Sequence, residues 1–90
     1  MHEHSLMKGL MNQISEIAAK EGAERVHSVK IKLGALSHMS PDHFKEHFDE
    51  IAKGGIAESA ILNIEASDDI HDQHAQDVIL ESVEVSLNKT

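Results

Sequence analysis

Two hydrophobic periods meet in the first third of this chain, and together they leave few folds open. Apolar residues recur at Leu6, Met7, Leu10, Met11, Ile14, Ile17 and Ala18. That i, i+3, i+4 spacing lines one face of an amphipathic helix, predicted over residues 5–21. Gly22 follows, the residue type that leaves a helix through the left-handed conformation. The period then shortens to two. Val29, Ile31 and Leu33 alternate with Lys30 and Lys32, which predicts a half-buried strand over residues 25–33. A helix stripe and a strand face of this kind are stable only when packed on one another or on further layers. His27 is in phase with the apolar set and reads as a structural residue at the edge of the core. Gly9 costs the helix roughly 1 kcal/mol relative to Ala and reads as a point of close backbone approach.

The rest of the chain continues the pattern. Residues 34–39 are a connector. Ser40-Pro41 then announces a second helix, with Ser as N-cap, Pro at the first helical position and Asp42 in the first turn. Phe44, Phe48, Ile51 and Ala52 form its apolar stripe, and Gly54-Gly55 ends it. A turn over 55–59 leads to a strand over 60–65 with Leu62 and Ile64 on one face. Residues 66–76 are polar, acidic and non-periodic, and read as a loop. The last strand covers 78–87. Val83, Val85 and Leu87 share one phase and Val78 and Leu80 the other, which predicts a bulge near Glu81-Ser82.

The order helix–strand–helix–strand–strand predicts one α/β domain over residues 1–90, an α+β two-layer arrangement of two helices on a three-stranded mixed sheet. Strands one and two would be parallel through a right-handed crossover. Strands two and three would form an antiparallel hairpin across the 66–76 loop.

Composition narrows the function. The chain has 90 residues, a net charge of -8 and no cysteine. Without cysteine there is no disulfide framework, thiolate nucleophile or cysteine zinc site. The few Lys and Arg are scattered, so a basic nucleic-acid footprint is absent. No apolar run approaches the ~18 residues of a membrane span, and the polar start is unlike a signal peptide. A soluble cytoplasmic protein is expected. Eight histidines are the compositional outlier. They matter because neutral imidazole is the commonest metal-binding side chain.

Three histidine groups invite a metal reading. Met1-His2-Glu3-His4 sets an α-amine, two imidazoles and a carboxylate directly ahead of the first helix. The amine, with a pKa of about 8, can close chelate rings with a backbone nitrogen and the His2 ring. A large residue at position 2 disfavours removal of Met1. A nitrogen-rich tetragonal set of this kind suits Ni(II) or Cu(II), with Glu3 or His4 as a further ligand or an orienting partner. His43 and His47 are one helical turn apart and can chelate, although a solvated helix flank is the commoner outcome of that spacing. His71 and His74 stand among Asp68, Asp69, Asp72 and Asp77, either as an extra ligand arm or simply as a polar loop. No Ser-His-Asp arrangement, glycine phosphate loop or paired-carboxylate signature is present, so nothing supports an enzyme.

Particular segments carry a resemblance. Met1-His2-Glu3, Glu21-Gly22-Ala23-Glu24-Arg25-Val26 and Val29-Lys30-Ile31-Lys32-Leu33-Gly34 resemble the hydrogenase nickel-incorporation family HypA/HybF. So do Phe48 through Ile64, with Ile56-Ala57-Glu58, and Ser82-Val83-Glu84-Val85. The resemblance runs along essentially the whole chain. It implies a nickel-binding fold of two helices against three strands. It also implies a role as nickel metallochaperone in maturation of nickel-iron hydrogenase, working with a HypB-type GTPase and a nickel-enzyme precursor such as the hydrogenase large subunit. The family's nickel site carries over to Met1, His2 and Glu3. The family also inserts a zinc domain with two Cys-x-x-Cys pairs between the second and third strands. Here only the 66–76 loop stands there, so no structural zinc is expected. Its His and Asp content reads as a natural segment rather than a Gly/Ser linker. We expect His71 and His74 to approach the amino terminus and complete or modulate its metal site.

The leading expectation is therefore a Ni(II)-binding metallochaperone-type protein. A metal-independent protein-interaction module that retains the fold is the alternative, and a histidine-based storage or pH-sensing protein is a third class. An exposed edge strand also offers a route to a homodimer.

Overall fold

The computed structural model describes residues 3–86. Their elements are α1 (Glu3–Lys20), β1 (Arg25–Leu33), α2 (Pro41–Ala52), β2 (Ile61–Ala66) and β3 (Val78–Ser86). The two helices and the three-stranded mixed sheet follow the predicted order.

Helix α1 buries Met7, Leu10, Ile14 and Ala18, the inner line of its stripe. Ile17 lies at the stripe's margin and is 37% exposed. The helix ends in a Schellman turn. Gly22 takes φ 66°, its N–H bonds the Ala19 carbonyl at 3.1 Å, and the Ala23 N–H bonds the Ala18 carbonyl at 2.9 Å. Those bonds satisfy carbonyls that a helix end otherwise leaves open. Gly9 does not provide the close approach expected of it: a side chain there would meet nothing within 4 Å.

Helix α2 starts as predicted. Ser40 is extended, Pro41 follows, and the Ser40 hydroxyl accepts from the His43 N–H at 3.2 Å. Phe44 and Phe48 stack with ring centroids 6.1 Å apart, both buried in the core with Ile31, Leu33 and Val29. These two rings fill the volume that small aliphatic side chains leave open.

Strand β1 is central, with the order β2-β1-β3. It runs parallel to β2, pairing Val29 with Leu62 and Ile31 with Ile64. It runs antiparallel to β3, pairing Val29 with Val83 and Leu33 with Val78. The expected β2–β3 hairpin therefore does not form. Among the strands only β1 carries buried residues, at Val26, Ser28, Val29, Ile31 and Leu33, so the strand with most to bury takes the middle. The segment after β2 spans two strand spacings, about 10 Å, across the C-terminal end of β1. It bonds there through Ser67 N–H to Leu33 O at 2.9 Å, Asp77 O to Gly34 N–H at 2.9 Å and Ala75 O to Leu36 N–H at 2.7 Å.

Two bulges adjust the register. The first lies between Val26 and Ser28 and leaves His27 unpaired with β3. Here the structure departs from the alternation: Val26 is buried and His27 is exposed, because one extra residue reverses the phase of a strand. The second bulge skips Glu81, between the Ser82 and Leu80 pairings. It lets Val78, Leu80, Val83 and Val85 all pack against the core, as their two phases require.

The opposite sheet face is polar. Lys30 pairs with Glu81 at 3.8 Å and Lys32 with Asp72 at 3.5 Å. The Ser28 hydroxyl donates to Glu84 at 2.7 Å. Among the described residues no helix is long and apolar enough to cross a membrane.

Candidate metal centre

Met1 and His2 lie outside the described residues. Glu3 and His4 open α1, so the backbone is helical from its third residue.

The first turns of α1 face an open cleft of about 880 Å³. Leu6 lines it from α1, His38 and Met39 from the β1–α2 connector, and Gln76 and Asp77 from the segment ahead of β3. His38 has φ 60°, in the left-handed region that histidine visits more often than most residues.

The 66–76 segment, expected as an irregular loop, is a chain of small turns. Asp69 Oδ1 accepts from the His71 N–H at 3.0 Å, and Asp72 Oδ1 from the His74 N–H at 2.9 Å. These are Asx turns, in which a short carboxylate replaces a backbone acceptor. The His74 N–H holds the Asp72 carboxyl below the ordinary carboxylate range, and the Lys32 ammonium adds to the effect.

His74 Nδ1 lies 3.0 Å from Asp77 Oδ2. In its neutral form a ring that donates through Nδ1 to a carboxylate presents Nε2 as the ligand nitrogen, the orienting arrangement common beside protein-bound metals. Asp77 lines the cleft, so it connects His74 to that space. His71 is held through its backbone N–H and does not line the cleft. Among the described residues no three His, Asp or Glu side chains converge as a metal site.

His38 is a cleft residue that the spacing of ligand types did not single out, and Asp77, named with the His71/His74 group, joins it there. The available signal was positional. His38 lies in the connector after a parallel strand, and loops at the carboxyl ends of such strands are where open α/β sheets receive ligands.

At one open edge of this small two-layer domain, His38 and Asp77 line the cleft and His74 lies beside Asp77, so imidazole and carboxylate donors are available there. Over residues 1–85 the sequence matches the family described as hydrogenase/urease nickel incorporation, metallochaperone, HypA. The chain belongs to that family, whose members are metallochaperones and not enzymes. The hydrogenase maturation factor HypA of Rhizobium leguminosarum bv. viciae is 41% identical over 64 residues, 71% of this chain and 57% of that protein. HypA of Methanosarcina acetivorans is 38% identical over 65 residues, 72% of this chain and 49% of that one. The chain thus spans about half the length of the curated relatives it matches. The solution structure of the Ni metallochaperone HypA from Helicobacter pylori has a TM-score of 0.80 at 20% identity, covering 98% of this chain and 100% of that one. At that identity the likeness speaks for the fold alone.

Proposed function

We propose that this domain binds Ni(II) through the Met1 amine, backbone nitrogens and the His2 imidazole, and passes it on during maturation of a nickel enzyme such as a nickel-iron hydrogenase. The observation that carries the reading is the family match, which begins at Met1 and so includes the Met1-His2-Glu3 opening. Relatives named as hydrogenase maturation factors support the hydrogenase role. Glu3 contributes a ligand or orients one. His71 and His74 are candidate additional ligands, the contact of His74 Nδ1 with Asp77 Oδ2 supporting His74, and His4 is optional. The partners expected with this role are a HypB-type GTPase and the precursor of the hydrogenase large subunit. Nickel here is cargo, so binding must be reversible, and proton competition for the amine and imidazole gives one way of releasing it. The whole of residues 1–90 acts as a single binding domain, with the 66–76 segment as a surface loop.

Calorimetric titration of Ni(II) into an untagged chain beginning at Met1 tests the proposal, with His2→Ala beside it. Binding that disappears in the variant is the expected result. A wild-type chain that takes up no nickel would leave the metal-independent interaction module as the surviving reading. Several weak sites indifferent to His2 would point instead to histidine storage.

A further inference from the structure

Helix α2 carries a second histidine pair whose geometry the amino-terminal reading does not use. His43 and His47 are one turn apart, with Nε2 atoms 3.0 Å from one another and ring centroids at 4.5 Å. We propose that this pair is a two-imidazole metal site for a divalent transition ion of tetragonal preference, of the Cu(II) or Ni(II) class.

The bite of the pair sets the geometry it can accept. Two metal–imidazole bonds of about 2.0–2.1 Å meeting at a right angle place their nitrogens about 2.8–3.0 Å apart, whereas a tetrahedral angle spreads them to about 3.3–3.4 Å. The observed separation of 3.0 Å is the right-angle value. Without metal this contact is an N–H···N hydrogen bond, with one ring as donor and the other as acceptor. In the bound state both rings are neutral, with the ring proton on Nδ1, and each directs an Nε2 lone pair at the ion. The pair supplies two of the ion's positions.

The scaffold holds the pair in place. Phe44 and Phe48, on the adjoining helix face, are fully buried. Ser40 caps the same first turn through the His43 N–H. His43 is exposed and His47 half-buried, so an ion reaches the pair from solvent. Glu46 and Glu50 share this flank of the helix, and a chain of net charge -8 draws cations towards its surface. A bound ion would clamp the first two turns of α2, so it should stabilise the folded state over the unfolded one, in which the bite is not preformed.

The test uses Cu(II) on the full chain, with a His2→Ala background to remove the amino-terminal site. Equilibrium dialysis should give two equivalents on the wild type, one on His2→Ala and none on His2→Ala/His43→Ala. The melting temperature of His2→Ala should rise with Cu(II), and that rise should vanish in the double variant. His43→Gln, which keeps a polar side chain on the exposed face, should behave as His43→Ala, with an unchanged circular dichroism spectrum. A double variant that still binds as His2→Ala does, or a His2→Ala chain that binds nothing, would overturn the proposal. Identical stoichiometry in wild type and His2→Ala would count against the amino-terminal site and leave this one standing.

Discussion

Gly34 lies against the backbone of Ala75, so closely that a Cβ at position 34 would overlap the Ala75 carbonyl oxygen and stand 2.7 Å from that of His74. The same carbonyl of Ala75 accepts from the Leu36 N–H at 2.7 Å. This contact seats the 66–76 segment on the end of the central strand, and only glycine permits it. Gly34→Ala must push the segment away, loosening the Leu36–Ala75 and Gly34–Asp77 bonds. The expected loss is about 2 kcal/mol or more, in the range of overpacked cores. Urea denaturation measures it, and an unchanged midpoint would refute the account.

The two phenylalanines anchor the other side of the core. Phe44 is fully buried and stacked on Phe48, and the sequence contains no other aromatic Phe, Trp or Tyr to take its place. Truncation to Ala typically costs about 3–5 kcal/mol, against a total of about 5–15 kcal/mol for an ordinary domain. Phe44→Ala should therefore leave the domain largely unfolded near 37 °C by circular dichroism, while Phe44→Leu should fold.

Much of this architecture was legible in the residues. Gly22, Ser40-Pro41 and the opposed phases of Leu80 and Val83 each describe a local backbone event, and each event occurs. Strand order was not legible. A hairpin between β2 and β3 and a crossover past β1 carry the same alternation, and the choice rests on which strand has most surface to bury. His27 was misread for a related reason: a bulge costs one residue of phase and leaves no mark on composition. The cleft depends on backbone segments distant in sequence, so His38, and its nearness to Asp77, emerge only once the 66–76 segment is seated. The spacing of His43 and His47 showed that they could meet, while the 3.0 Å separation needed coordinates.

Ser40 gives a smaller and cleaner effect. Its hydroxyl is the acceptor for the His43 N–H at the start of α2. Ser40→Ala should cost about 1 kcal/mol, and Ser40→Asp should retain most of the stability by accepting the same bond. Equal midpoints for all three chains in urea would show that the cap contributes nothing.

Acid should act on the loop through Asp72. Its carboxyl is held below the ordinary value of 3.8, first by the His74 N–H and then by Lys32. A carboxylate with a depressed folded-state pKa stabilises the fold above its unfolded pKa, and that contribution is lost as pH falls through the folded value. The loss thus begins near pH 4 and continues below it. Carbon-detected NMR titration should place the Asp72 midpoint below 3.8. Lys32→Met should raise it only part of the way, because the His74 N–H remains. Full return to the ordinary value in that variant would reverse the ranking of the two causes.

The amino-terminal proposal makes a demand that a side-chain site does not. If the Met1 amine is a nickel ligand, blocking it removes a donor that no rotamer change restores. An acetylated terminus, or one or two residues added ahead of Met1, should then abolish the His2-dependent nickel binding, although every histidine remains. Lowering the pH should weaken the same binding in the native chain, since protons compete for an amine of pKa about 8 and an imidazole of about 6.5. An extended chain that still binds nickel with wild-type affinity would assign the metal to side chains alone. His74 beside Asp77 and the His43–His47 pair would then be the first places to look.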